Sequence, residues 1–388
     1  MVVARLSRGR GRSGSRAATA EQRSRSRASL GASAAVRAAF IWPALLAILF
    51  VSIFPLLASL YISLSHLKLA RGGFRFRFIG LENYRDLYLG GERSHFLGVA
   101  RPLTPLGWLL FAAAVALLAW GLLRARRAGA GVAGMLLRLL GALLAAAAIW
   151  LALRTLLATG GRPGTAVVTV IYVLVGIAVQ FTLGLGLAYL LTQGLPGQRF
   201  FRVVFLLPMM ITPVGVAYMF RMLADTSKGP LQPLWSAVGL GNFSWVNDPW
   251  GARVAVMVGD IWQWTPFMFI ILLAALEGQD SDHVEAAMVD GANRWQVLRH
   301  ISLPAILPVC TTVVLIRLIE AFKIIDLPNI LTNGGPGTAT ESLSLQAYIH
   351  WRTLDLGESA AVAYSLLFIV TVVALSYVNL VRRRVAEE

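Results

Sequence analysis

Apolar residues gather along this chain into long runs instead of alternating with polar ones. Several reach the roughly 20 residues that a helix needs to cross a hydrocarbon core about 30 Å thick. The runs lie near 41–64, 104–123, 135–157, 165–192, 203–224, 253–276, 304–326 and 358–381, which predicts eight transmembrane helices. A β-barrel would show short alternating segments, and none is evident. Between the sixth and seventh runs stands an island of charged and small residues, EAAMVDGANRWQVLRHISLP, Glu285 to Pro304.

Composition agrees with the pattern: 57% of residues are hydrophobic, 14% are charged, and mean hydropathy is +0.68, well outside the soluble range. Basic residues then orient the spans. With the amino terminus inside, 20 of the 35 basic residues fall in cytoplasmic segments, against thirteen outside and two, Arg317 and Lys323, within a span. This bias predicts an N-in, C-in protein, and it places the island in the cytoplasm. The segment 65–103 runs against the rule with seven basic residues.

The formal charge of +16 does not imply nucleic acid, because the charge lies in membrane flanks and one low-complexity tail. Residues 1–39, rich in Arg, Ser, Ala and Gly, read as a disordered basic cytoplasmic tail beside anionic membrane lipid; an Arg-rich transit peptide is the competing reading. No cleavable secretory signal is evident, and the lone Cys310 excludes an internal disulfide.

No catalytic constellation is found. A phosphate-cradling P-loop requires Gly-Lys-Ser/Thr, but Lys68, Lys228 and Lys323 are followed by Leu69, Gly229 and Ile324. Any ATP and its Mg must therefore be held by a partner. The five histidines, His66, His95, His283, His300 and His350, are scattered without metal-ligand spacing, so no metal or other cofactor is expected on this chain. The Gly-rich stretch Leu331 to Gly337 reads as a turn outside the membrane.

The island predicts a helix, a bend and a helix. Asp280 or Ser281 caps the first helix, with Asp282 and Glu285 placed in its first turn, where the dipole favours acids. Ala286 and Ala287 present a nearly bare surface, and Gly291 bends the chain. Trp295, Leu298 and Ile301 then share one apolar side, and Pro304 opens the next span. The alternative is an ordinary amphipathic loop on the membrane surface.

Glu285, Ala286 and Ala287, then Asp290, Gly291 and Ala292, and finally Ile301, Leu303 and Pro304 resemble the EAA loop of permease subunits in binding-protein-dependent ABC importers. The resemblance implies that the loop docks in a cleft of a cytoplasmic ATPase, with Glu285 making the polar contact and Gly291 the bend. Phe78 to Leu87, Ile261 to Gly278 and Phe322 to Glu341 are similar to segments of the carbohydrate-type permeases, exemplified by the larger membrane subunit of the maltose importer. The likeness covers 40–90, the first core helix and a periplasmic segment, and 165–384, the permease core with its EAA loop at 277–303. Residues 91–164 depart from the six-helix pattern. There two apolar runs flank the basic linker Arg124 to Gly131 and read as an inserted membrane hairpin suited to close helix contact.

Intramembrane charges usually face a cavity or each other. Arg317, Glu320, Lys323 and Asp326 alternate in sign at steps of three, so neighbours meet on a helix. One reading makes Glu320, Lys323 and Asp326 part of a polar wall on a substrate path, with Trp262, Gln263 and Trp264 from the preceding span. The other is a self-neutralised ladder that positions the helix. On a continuous helix each step drifts about 60°, so all four should not line one groove. Gln180 and Asp260 are further polar candidates.

The expectation is an all-α, polytopic permease of about eight helices in the bacterial inner membrane. The resemblance implies two ATPase subunits, a second homologous permease forming a heterodimer, an extracytoplasmic binding protein and a carbohydrate cargo. An importer for another solute, such as a phosphorylated polyol, is the nearest alternative. An ion-coupled secondary transporter would instead show internal repeats and interrupted helices, and a membrane scaffold would not transport.

Overall fold

The eight apolar runs become six unbroken helices and two sharply bent ones. The computed structural model describes residues 41–70, 73–127, 132–194, 196–241 and 243–386. The tail over 1–39 and residues 128–131 at the tip of the inserted hairpin lie outside the described residues. Two units divide the chain, Met1–Tyr61 and Ile62–Glu388, and helix α1 (Ile41–Ser63) covers the described part of the first.

The second unit opens on an antiparallel pair, β1 (Ser65–Ala70) and β2 (Gly73–Phe78), with Ser65 opposite Phe78. Short helices α2 (Glu82–Tyr88) and α3 (Arg93–Phe96) follow. Asn83 on α2 is buried and donates to the carbonyls of Ser63 and Ser65 at 2.7 and 3.1 Å, fixing the start of β1.

The inserted hairpin is α4 (Pro105–Arg127) and α5 (Val132–Leu156). Its base closes through β3 (Gly98–Val99) and β4 (Arg162–Pro163), where Gly98 faces Pro163. Gly98 has φ +93°, and a Cβ there would stand 2.4 Å from the Arg162 carbonyl, so only glycine fits. Arg154 Nε reinforces the closure by donating to the Arg101 carbonyl at 2.9 Å.

The core begins with α6 (Thr165–Leu191). Helices α7 (Gln198–Met210) and α8 (Pro213–Ala224) form one pair bent by 95°. Pro208 and Pro213 bracket the break, and proline drives the preceding Thr212 to an extended ψ of 144°. Helix α9 (Pro249–Glu277) then runs unbroken, and α10 (Ser281–Val289) carries the first half of the island. The pair α11 (Arg294–Ala305) and α12 (Leu307–Ala321) bends by 71°. After it come α13 (Asp326–Thr332), α14 (Leu343–Arg352) and the last helix, α15 (Leu356–Ala386).

Helices α6 and α9 cross closely in the core. A Cβ on Gly184 would lie 2.6 Å from Met268 Cβ and 2.9 Å from the Phe269 nitrogen, so the missing side chain lets the backbones meet. Val173, Ile177, Ala188, Met268, Phe269 and Leu272 fill the surrounding buried cluster. The hairpin rests on α15, where Gly141 on α5 faces Ser376 and a Cβ would stand 2.4 Å from its Oγ.

Two expectations are corrected. The run 304–326 is not one straight helix: the chain bends at Ile306, α12 starts at Leu307, and Pro304 lies in the preceding helix. The helix also stops at Ala321, five residues before the expected end at 326.

Candidate functional site

Early termination of α12 shapes the first site. Past Ala321 the chain turns, with the Phe322 and Ile324 carbonyls accepting from Ser344 Oγ and Ser342 Oγ, then restarts as α13 at Asp326. Arg317, Glu320, Lys323 and Asp326 therefore line one cavity of about 110 Å³ together with Pro213, Asp260, Gln263 and Trp264. This overturns the expectation that periodicity keeps the four apart, because the helix they were placed on ends between Glu320 and Lys323.

The ladder reading also fails at its first rung. Arg317, only 2% exposed, turns away from Glu320. Its Nε donates to Gln180 Oε1 at 2.9 Å and its Nη2 to Asp260 Oδ2 at 2.6 Å. Gln180 Nε2 donates to the same Asp260 oxygen at 2.9 Å, and the guanidinium lies 4.8 Å from the Trp264 ring centroid. A buried charge is tolerated when it is paired and hydrogen-bonded, and this network meets both conditions while joining α6, α9 and α12. Gly176 lies beside the network, where a Cβ would make van der Waals contact with Asp260 Oδ2 at 3.4 Å. Lys323 and Glu320 do pair, at 2.7 Å, but both are well exposed, where such a contact is worth little.

Gln263 does a separate job at the cavity wall. It is buried and its Nε2 donates to the Ile211 carbonyl at 3.3 Å, satisfying a group released by the bend between α7 and α8. Trp262 is not in the cavity; it packs against Phe220, with ring centroids 5.6 Å apart.

The second site is the island. Asp280 caps α10, its side chain accepting from the Asp282 nitrogen, and the first turn holds Asp282 alone among acids. Glu285 thus falls one turn later than expected. Gly291 has φ +85° with nothing near its missing Cβ, the left-handed turn that glycine allows. Ala292 follows the bend, and Asn293 and Gln296 form a capping box on α11.

Tyr189 at the end of α6 donates to the Arg294 carbonyl at 2.8 Å, and Gln279 Nε2 to Ser302 Oγ at 3.1 Å. These bonds tie the island to the ends of α6 and α9. Val297 and Leu298 are buried while Trp295 is 65% exposed, so the apolar side is not the expected Trp295–Leu298–Ile301 stripe. Glu285, Ala286 and Asp290 are exposed, Ala287, Ala292, Ile301 and Leu303 are half-buried, and Pro304 is exposed. Met288, Val289 and Trp295 add exposed apolar surface at 51%, 87% and 65%.

Spacing hid a third cluster. His95 and His350, expected to stand apart, have ring centroids 6.5 Å apart. Burial disfavours the His95 cation, but its bond to Glu341 at 2.7 Å and then that to Glu92 at 3.2 Å outweigh this and raise its pKa.

Residues 180–386 match the family described as binding-protein-dependent transport system inner membrane component. The trehalose/maltose transport system permease protein MalF of Thermococcus litoralis is 33% identical over 213 residues, 55% of this chain and 72% of the relative. The sulfoquinovosyl glycerol transport system permease protein SmoG of Agrobacterium fabrum is 30% identical, over 56% of this chain and 70% of its own. A crystal structure of a bacterial alginate ABC transporter, in complex with alginate pentasaccharide-bound periplasmic protein, superposes with a TM-score of 0.52 at 21% identity. That match covers 71% of this chain and 94% of the other, and it shows a shared fold.

Proposed function

Since the chain belongs to the binding-protein-dependent transport system inner membrane component family, a multi-pass inner-membrane transport component, we propose that it is the permease subunit of an ATP-driven carbohydrate importer. An extracytoplasmic binding protein delivers the cargo. A second, non-identical permease completes the pore. Two ATPase subunits, which hold the ATP and Mg, dock on the island.

The observation that carries the coupling half is the island's construction. It is capped, bent at Gly291 and bonded to the ends of α6 and α9, yet it exposes Met288, Val289 and Trp295. Exposed apolar side chains on a rigid handle suit a protein partner, and Glu285 and Asp290 are exposed acids beside them. Motion of the handle passes to two core helices, so ATP-driven closure shifts the population between inward and outward states.

Relatives named for trehalose/maltose and sulfoquinovosyl glycerol support a sugar or glycoside cargo, and so does the cavity, where Trp264 offers an aromatic face beside polar groups. Two basic and three acidic side chains line it, which disfavours a phosphorylated polyol. Gln263, Trp264, Glu320, Lys323 and Asp326 are assigned to the path; Trp262 supports Phe220 from behind. Interrupted helices, one mark of ion-coupled carriers, occur here too, but the family membership favours ATP.

Cysteine placed at Met288 tests the docking. Oxidative cross-linking to a single cysteine scanned through the cleft of the cognate ATPase should give one dominant adduct. Equal, weak adducts at every position, or none, would remove the island from the interface.

A further inference from the structure

The family does not account for the cluster around His95 and His350, which sits far from the island. Thr165 at the start of α6 bonds Gln346 on α14 at 2.6 Å, whereas Tyr189 near its end bonds the island. At 1.5 Å per residue these points are about 36 Å apart along the helix.

Each histidine of this cluster has a ring nitrogen against a carboxylate outside the candidate ligand set. His95 Nε2 meets Glu341 at 2.7 Å, and His350 Nδ1 meets Glu358 at 3.3 Å. A carboxylate on the far nitrogen of an imidazole is the arrangement that orients histidine ligands of a metal. The other nitrogens remain: His95 Nδ1 lies 3.2 Å from Glu92 Oε2, and His350 Nε2 is buried without a hydrogen-bond partner among the described residues. Ligand atoms of Glu92, His95 and His350 all lie within 4.8 Å of one another.

Tetrahedral bonds of about 2.0–2.1 Å require ligand atoms about 3.3 Å apart. The Glu92–His95 pair already has that spacing, and the His350 ligand atom lies within 4.8 Å of both. The second observation is His350 Nε2, a buried ring nitrogen that a metal ion would satisfy. Glu341 is 3% exposed, and its bond to His95 Nε2 leaves Nδ1 of that ring to face Glu92.

The supporting backbone is rigid. Phe96 beside His95 is 1% exposed, and a Cβ on Gly164 would stand 2.6 Å from the His95 carbonyl. We propose that Glu92, His95 and His350 form a site for a divalent transition metal of the zinc type, with Glu341 and Glu358 orienting the two imidazoles and one position open to water. The ion ties the segment before the inserted hairpin to α14 and the head of α15. His350, Asp355 and Glu358 also lie within 4.8 Å of one another, but two imidazoles favour zinc over a set holding one.

Tag-free full-length chain in lipid nanodiscs, washed with chelator, is titrated with Zn2+ and separately with Co2+. One Zn2+ should bind per chain, and Co2+ should develop the visible absorption of a tetrahedral N/O site. H95A and H350A should each weaken Zn2+ binding at least 100-fold, and E358Q about 10- to 100-fold. The Co2+ spectrum of the unmutated chain reads the site without relying on variants that fold poorly. Absence of that spectrum, or Zn2+ binding unchanged in H95A, or binding lost in D355N but kept in H95A, would overturn the assignment.

Discussion

At Arg317 three helices meet through one guanidinium. Its partners lie 137 and 57 residues away, at Gln180 and Asp260, so local spacing pointed instead to Glu320. The legible part was that Gln180 and Asp260 interrupt apolar runs; which charge they serve depends on how α6, α9 and α12 cross. Removing one partner strands a buried charge, so D260A should destabilise the protein by about 3–5 kcal/mol, whereas the double variant D260L/R317M should recover most of the loss. Thermal unfolding in detergent decides between them; equal midpoints for the single and double variants would count against the pairing.

Gly291 is a different case, since its Cβ would meet nothing and only φ +85° penalises a side chain. G291A should cost about 1–2 kcal/mol locally with insertion intact. Because the bend sets the angle between α10 and α11, it should also lower the uptake obtained per ATP, as should E285A with no loss of stability. ATPase and uptake assays on the same proteoliposomes measure that ratio.

Among the elements, the membrane helices were readable because a run of about 20 apolar residues has few other fates. The bends were not. Pro208 and Pro213, or Pro304 and Pro308, are visible in the sequence, but prolines also occur in straight membrane helices whose neighbours satisfy the freed groups. The unbroken α9 carries Pro266 in its interior. The end of α12 at Ala321 was hidden because Ser342 and Ser344, which cap the turn, come some twenty residues later.

The α6–α9 crossing depends on Gly184, so G184V should drive the backbones apart and destabilise the core by about 1–3 kcal/mol; a thermal midpoint equal to the unmutated chain's would show that the contact yields. The inserted hairpin is separable by contrast. Gly98–Val99 and Arg162–Pro163 hold its ends side by side, so replacing 101–161 with a short Gly-Ser linker should leave a monodisperse, membrane-inserted core by size-exclusion chromatography. Aggregation of that deletion would make the hairpin part of the folding unit.

For the whole molecule, α6 links three regions: its start bonds α14 beside the histidine cluster, its middle carries Gln180 under the cavity, and its end carries Tyr189 against the island. The family resemblance was legible because nine positions within twenty residues of the island carry it, all local in sequence. The histidine cluster was not, since His95 and His350 are 255 positions apart in the chain. The hydrogen bonds that join the island to the ends of α6 and α9 are the route by which, under the proposed function, force from an ATPase would reach the cavity. The most direct test is uptake of labelled trehalose or maltose into proteoliposomes holding this chain, its partner permease and the ATPase, with binding protein added outside. The proposal requires uptake that needs both ATP and binding protein and falls in E285A; uptake by this chain alone, driven by an ion gradient without ATP, would contradict it.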